Sequence, residues 1–149
     1  MHMWRSGLLV VCTAAFIGVS PLAAQSNKTL YERLGGMPAI TAVSNGLVDR
    51  ILADKRVNGW FAHAAASPAE AARYKASLAD FVCVNTGGPC KYAGPDMVAA
   101  HKGRRVTSEA FDAVVQDLVA VLDELKVATN EKTELLQALA PLKSSIVQK

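Results

Sequence analysis

Two double glycines, Gly35-Gly36 and Gly87-Gly88, constrain this chain most. They cut a long run of helical apolar periodicity into short pieces, and glycine lets those pieces turn sharply and approach closely. Ahead of the first pair, Thr29-Leu30-Tyr31-Glu32 has the form of a capping box, in which hydroxyl and carboxylate satisfy free amides at a helix start. That helix is limited to little more than one turn. Pro38 suits the first turn of the next helix, where Ile40, Val43, Leu47, Val48, Ile51 and Leu52 recur on one face. Val57 to Phe61 reads as a short helical turn with two large aromatics. Ser67-Pro68-Ala69-Glu70 has the form of a second capping box, and the helix it opens is predicted to bury Tyr74, Leu78, Phe81, Val82 and Asn85 before Gly87-Gly88-Pro89 stops it.

The remainder continues in the same way. Cys90 to Pro95 reads as loop, and Asp96 to His101 as a brief helix ended by Gly103. Thr107 is placed to cap a long helix with Phe111, Val114, Val115, Leu118, Leu122 and Leu125 inward. Thr129 is placed to cap the last helix, with Leu135, Leu136, Leu139 and Leu142 inward and a bend at Pro141. No strand pattern competes, so the residues by themselves predict a small all-α domain.

The first residues stand apart from that domain. Met1 to Arg5 carries one positive charge, Leu8 to Val19 is almost wholly apolar, and Pro21-Leu22-Ala23-Ala24 supplies small residues. That order is expected of a secretory signal peptide over 1–24, with a folded domain over 25–149; an uncleaved anchor is the alternative. The apolar run is short against the roughly 20 residues that span a bilayer. The expected location is therefore outside the cytoplasm, periplasmic or secreted, with no membrane attachment after signal removal. A net charge of +3, spread along the chain, offers no basic stripe for nucleic acid. Arg104-Arg105 reads as a solvated turn. Cys83 and Cys90, bound for an oxidising compartment, fit a disulfide and equally fit a buried Cys83 with a free Cys90.

His101 shares a face of its brief helix with Met97. A lone histidine on an apolar face is ordinarily a packed core residue, but the surrounding motifs point elsewhere. The run Leu30-Tyr31-Glu32-Arg33-Leu34-Gly35-Gly36, the segment Arg50-Ile51-Leu52-Ala53-Asp54 followed by Trp60-Phe61, the turn Gly87 to Gly94, and Met97 to Gly103 resemble, in order, the group I truncated haemoglobins. The likeness runs from about Leu30 to Val147. It implies a two-over-two helical sandwich around haem, with His101 as the proximal iron ligand. Phe61 would lie against the porphyrin, and Leu78, Phe81, Met97, Val106, Phe111 and Val115 would complete an apolar pocket. Lys75, Lys91 and Tyr92 are weaker expectations for the haem edge or propionates, since each also suits a solvated surface.

The resemblance also shows departures. Val48 stands where many relatives carry a ligand-binding tyrosine, Leu47 where phenylalanine is common, Leu78 where glutamine is common, and Ser77 where some relatives have histidine. The stretch from Ala62 to Ala71 is longer than in those relatives. The ligand side is thus expected to be apolar, with Tyr74 as its one polar donor. The implied cofactor is haem b (iron protoporphyrin IX), held without covalent attachment because no Cys-x-x-Cys-His occurs. The implied partners are a diatomic gas, namely oxygen, nitric oxide or carbon monoxide, and a reductase that keeps the iron reduced. Reversible oxygen binding is the first functional expectation. Nitric-oxide dioxygenation or peroxidase-like chemistry is the enzymatic alternative, and a helical interaction module without cofactor the third.

Overall fold

The computed structural model describes residues 27–148. The expected signal peptide lies outside the described residues. Among those residues there is no strand, and no helix is long and apolar enough to cross a membrane. Helix α1 (Leu30–Leu34) begins with the expected capping box: Thr29 Oγ1 accepts from the Glu32 amide at 3.2 Å, and the Glu32 carboxylate accepts from the Thr29 amide at 2.8 Å. Gly35, at φ 106°, ends α1 in the left-handed region, where a side chain would be strained. Helix α2 (Gly36–Ala53) follows at once.

Asp54 caps α2, and its carboxylate accepts from the Arg56 amide and guanidinium at 2.9–3.1 Å. This fixes the corner leading into a 3₁₀ turn, Asn58–Phe61, and a short α3 (Ala62–Ala65). The lengthened corner is thus α3 and the start of α4 (Pro68–Asn85). Only half of the second capping box forms. Ser67 Oγ accepts from the Glu70 amide, but the Glu70 carboxylate pairs with Arg73 and His63 instead of returning to Ser67. Asn85 is exposed, contrary to expectation, and its amide donates to the Phe81 carbonyl.

Cys83 is bonded to Cys90, with Cα atoms 6.0 Å apart, so the bridged reading of the pair is the one the structure has. Gly88 makes room for it: a Cβ there would lie 2.5 Å from Cys83 Sγ and 2.6 Å from the Tyr31 ring. The bridge ties the end of α4 to the loop that feeds α5 (Met97–His101). Thr107 caps α6 (Ser108–Glu124) as expected. The cap of α7 (Thr129–Leu139) falls at Ala128, with no side-chain bond, so Thr129 is the first helical residue rather than the cap. Pro141 breaks the last helix into a 3₁₀ turn, Ala140–Leu142, and α8 (Lys143–Ile146). Leu125 is 46% exposed at the end of α6, not inward.

Helix α2 packs most extensively on α4 and then on α6, which in turn meets α7 and α8. The result is one helix pair over another. Ile40, Leu47, Ile51, Val82, Leu118, Leu122 and Leu135 form the shared core. The rest of the inward apolar surface faces a cavity.

Candidate functional site

A cavity of about 590 Å³ opens between the α2–α4 side and the α5–α6 side, floored by Leu135, Leu136 and Leu139 of α7. That volume falls in the range of about 300–1,000 Å³ typical of small-molecule and cofactor sites. Helix α2 contributes Val43, Ser44, Leu47 and Ile51 to the lining, and the corner contributes Trp60, Phe61 and His63. Helix α4 contributes Tyr74, Ser77, Leu78 and Phe81, and the loop beyond it Tyr92. Met97, His101, Arg104, Val106, Phe111, Val114 and Val115 close the opposite wall. Phe61, Tyr74, Leu78, Phe81, Tyr92, Met97, His101, Val106, Phe111 and Val115 are thereby brought to one cavity. Lys75 is not among the lining residues; its ammonium pairs with Asp49 at 2.6 Å.

The geometry at His101 decides what that residue can do. Asp96 Oδ1 caps α5 by accepting from the Ala99 amide at 2.8 Å, which sets the single turn that carries the imidazole. Nδ1 of His101 lies 2.8 Å from the Met97 carbonyl oxygen. A carbonyl only accepts, so Nδ1 carries the hydrogen and donates it. In a neutral imidazole the lone pair is then on Nε2, which is left free for a metal. A hydrogen bond of this kind also orients a ligating histidine and raises its basicity.

Aromatic contacts shape the walls. Phe61 and Tyr74 meet across the corner with centroids 5.9 Å apart, and Phe81 and Tyr92 meet edge-to-face at 5.2 Å. Tyr92 donates its hydroxyl to the Pro95 carbonyl at 3.0 Å. The Tyr74 hydroxyl has no hydrogen-bond partner among the described residues. Burial pushes its pKa up to about 12, against the pull of the nearby Arg104 charge, so the phenol keeps its proton across the ordinary pH range. Arg104 and Trp60 hold each other: the indole donates to the Arg104 carbonyl at 3.0 Å, and the guanidinium donates to the Trp60 carbonyl at 3.3 Å. An apolar cavity with the His101 imidazole free to ligate, the His63 ring engaged by Glu70, and cationic Arg104 in its lining fits a flat apolar macrocycle with acidic side chains.

Residues 29–148 match the family model for bacterial-like globins. The chain is 31% identical over 118 residues to a group 1 truncated haemoglobin of Mycolicibacterium paratuberculosis, covering 79% of this chain and 83% of that protein. It is 36% identical over 103 residues to one of Synechocystis, covering 66% and 79%. Its fold superposes on the truncated haemoglobin of Tetrahymena pyriformis in the Fe(III) form with a TM-score of 0.72, at 31% identity, covering 82% of this chain and all of that one. The chain belongs to the group 1 truncated haemoglobins.

Within that family's two-over-two fold, α5 and α6 form the wall that carries His101, and α2 and α4 form the wall opposite it. Val48, the position expected to face a ligand, is wholly buried but does not line this truncated haemoglobin's cavity; Ser44 and Leu47 do. Ser44 was not anticipated. Its signal was present in the spacing, since 44, 47 and 51 lie on one helical face, but a small polar residue gives no apolar peak. Arg104 is exposed in a turn, as expected, and also reaches the cavity lining, where it and Trp60 exchange hydrogen bonds. His63 reaches the lining through the lengthened corner, held 3.2 Å from Glu70.

Proposed function

We propose that this truncated haemoglobin holds haem b through Nε2 of His101 and binds oxygen reversibly in the cavity beside α2 and α4. The observation that supports this most is the committed Nδ1 of His101, which leaves Nε2 at the wall of an apolar cavity. When bound, the haem would supply an iron centre able to take a diatomic gas. The chain supplies everything else. His101 would hold the iron, Phe61, Phe81 and Phe111 would keep water from the macrocycle, and the Arg104 guanidinium would pair with its acidic side chains.

We place the protein outside the cytoplasm on the order of charged, apolar and small residues over Met1 to Ala24. A native mature form whose intact mass begins near Gln25 is expected; one that retains Met1 would overturn the export reading. The haem reading is tested by absorption spectra of the purified protein, oxidised, reduced, and with oxygen or carbon monoxide. A Soret band that shifts reversibly with each gas is expected. A protein that takes up no haem would refute it.

A further inference from the structure

The loop between α5 and α6 has an unusual backbone. Arg105, at φ 53°, is one of two non-glycine residues with positive φ among the described residues. A side chain in that left-handed region costs free energy and persists only where its surroundings hold it. Here the hold comes from far along the chain. Gln148 Oε1 accepts from the Arg105 amide at 2.9 Å, and the Gln148 backbone amide donates to the Val106 carbonyl at 3.0 Å. One residue thus grips the loop twice, with its side chain and with its backbone.

The grip extends to the cavity. The Arg104 amide donates to the His101 carbonyl at 3.0 Å, and the Trp60 indole donates to the Arg104 carbonyl at 3.0 Å. The loop is therefore tied on three sides: to the end of α5, to the Trp60 corner and to Gln148. His101, Arg104 and Val106 all line the cavity. The segment that brings Gln148 is itself anchored. Lys143 pairs with Asp112 of α6 at 2.6 Å and stands 5.4 Å from the centre of the Phe111 ring, while α8 packs against α5.

We infer, on the proposed haem-bound state, that Gln148 is a positioning residue for the haem site. By holding residues 104–106 it sets where α5 ends, and so where the His101 imidazole and the Arg104 guanidinium stand relative to one macrocycle.

The test uses haem-loaded protein and two variants. Gln148→Met keeps an unbranched side chain but removes the amide oxygen, and Gln148→Glu keeps an oxygen that can accept from Arg105. In Gln148→Met, ferric haem is expected to pass to an acceptor globin roughly two- to tenfold faster, the value of one hydrogen bond. The iron–histidine stretch of the ferrous protein, read by resonance Raman, should shift. Gln148→Glu should return both to the values of the unmutated protein, which loss of packing alone would not produce. Unchanged haem transfer and an unmoved stretch in Gln148→Met would overturn the role of Gln148 while leaving haem binding intact. So would a Gln148→Glu variant that behaves as Gln148→Met does. Failure of the unmutated protein to take up haem would instead overturn the proposed function, and this role with it.

Discussion

On the α5–α6 side of the cavity, the polar group that matters is already committed. His101 Nδ1 donates to Met97, and only Nε2 is free. On the α2–α4 side the polar groups are uncommitted: Ser44 has no partner, and the Tyr74 hydroxyl has none among the described residues. One wall presents a free lone pair whose direction is fixed, and the other carries hydroxyls with no such partner. A fixed tautomer suits tight ligation, and under the proposed function the Tyr74 phenol is the donor left free for a transient ligand.

The most severe way to break the contrast is to remove the committed side. His101→Ala is expected to purify without haem or with haem that transfers readily to an acceptor protein, while Ser108→Ala keeps it. The Soret absorbance per mole of protein reads this directly. An unchanged Soret band and ligand-binding spectrum in His101→Ala would mean that another residue ligates the iron.

The Cys83–Cys90 bridge joins the end of one wall to the loop feeding the other. Replacing both cysteines by alanine should lower unfolding stability by about 2–3 kcal/mol, the chain-entropy value for so short a loop. Denaturant unfolding of parent and double variant measures it. The Phe81–Tyr92 contact, held by the same loop, should loosen as well. Equal midpoints would show that the core alone positions the loop.

The register of α2 can be tested with two tyrosines. Leu47→Tyr introduces a phenol on the lining face and should slow oxygen release about tenfold, equivalent to about 1.4 kcal/mol. Val48→Tyr places the same group off the lining, where overpacking costs about 1–3 kcal/mol of stability and oxygen release stays unmoved. Stopped-flow oxygen release and thermal unfolding separate the two. Slowed release in Val48→Tyr alone would return Val48 to the ligand side.

The same register shows what the sequence could and could not disclose. The place of His101 in the cavity wall was readable because a whole motif surrounds it, from the Asp96 cap to Gly103. The cap at Thr29 and the stop at Gly35 were readable because local hydrogen bonding and φ decide them. Leu47 and Val48 are adjacent apolar residues within one broad stripe, and a period of 3.6 allows either to face a cavity. Which one does depends on how α2 is rotated against α4, a tertiary property. Ser44 was hidden for the same reason, and Arg104 because its partner, Trp60, is distant in the chain. Lys75 was drawn to Asp49 by a contact between helices that no local pattern encodes.

Ser44 Oγ has a counterpart in Asp117 Oδ2, the other buried side-chain atom without a hydrogen bond among the described residues. Asp117 sits on α6, 8% exposed, and is not among the residues lining the cavity, so no ligand can satisfy it. Burial first, and the nearby Asp54 charge second, hold its pKa above the ordinary aspartate value, although Arg56 and Arg50 pull the other way. A raised folded pKa means that the unfolded chain releases this proton first as pH rises. Stability is therefore highest below the unfolded value and falls until the folded value is passed. Asp117→Asn cannot ionise, which removes the like-charge repulsion with Asp54. The variant should gain about 1 kcal/mol near pH 7, and the gain should shrink toward zero near pH 3, where both aspartate forms are protonated. Denaturant unfolding at the two pH values measures the difference. A loss of stability at pH 7 would show that the Asp117 carboxylate is needed where it stands, charged and without a partner for Oδ2.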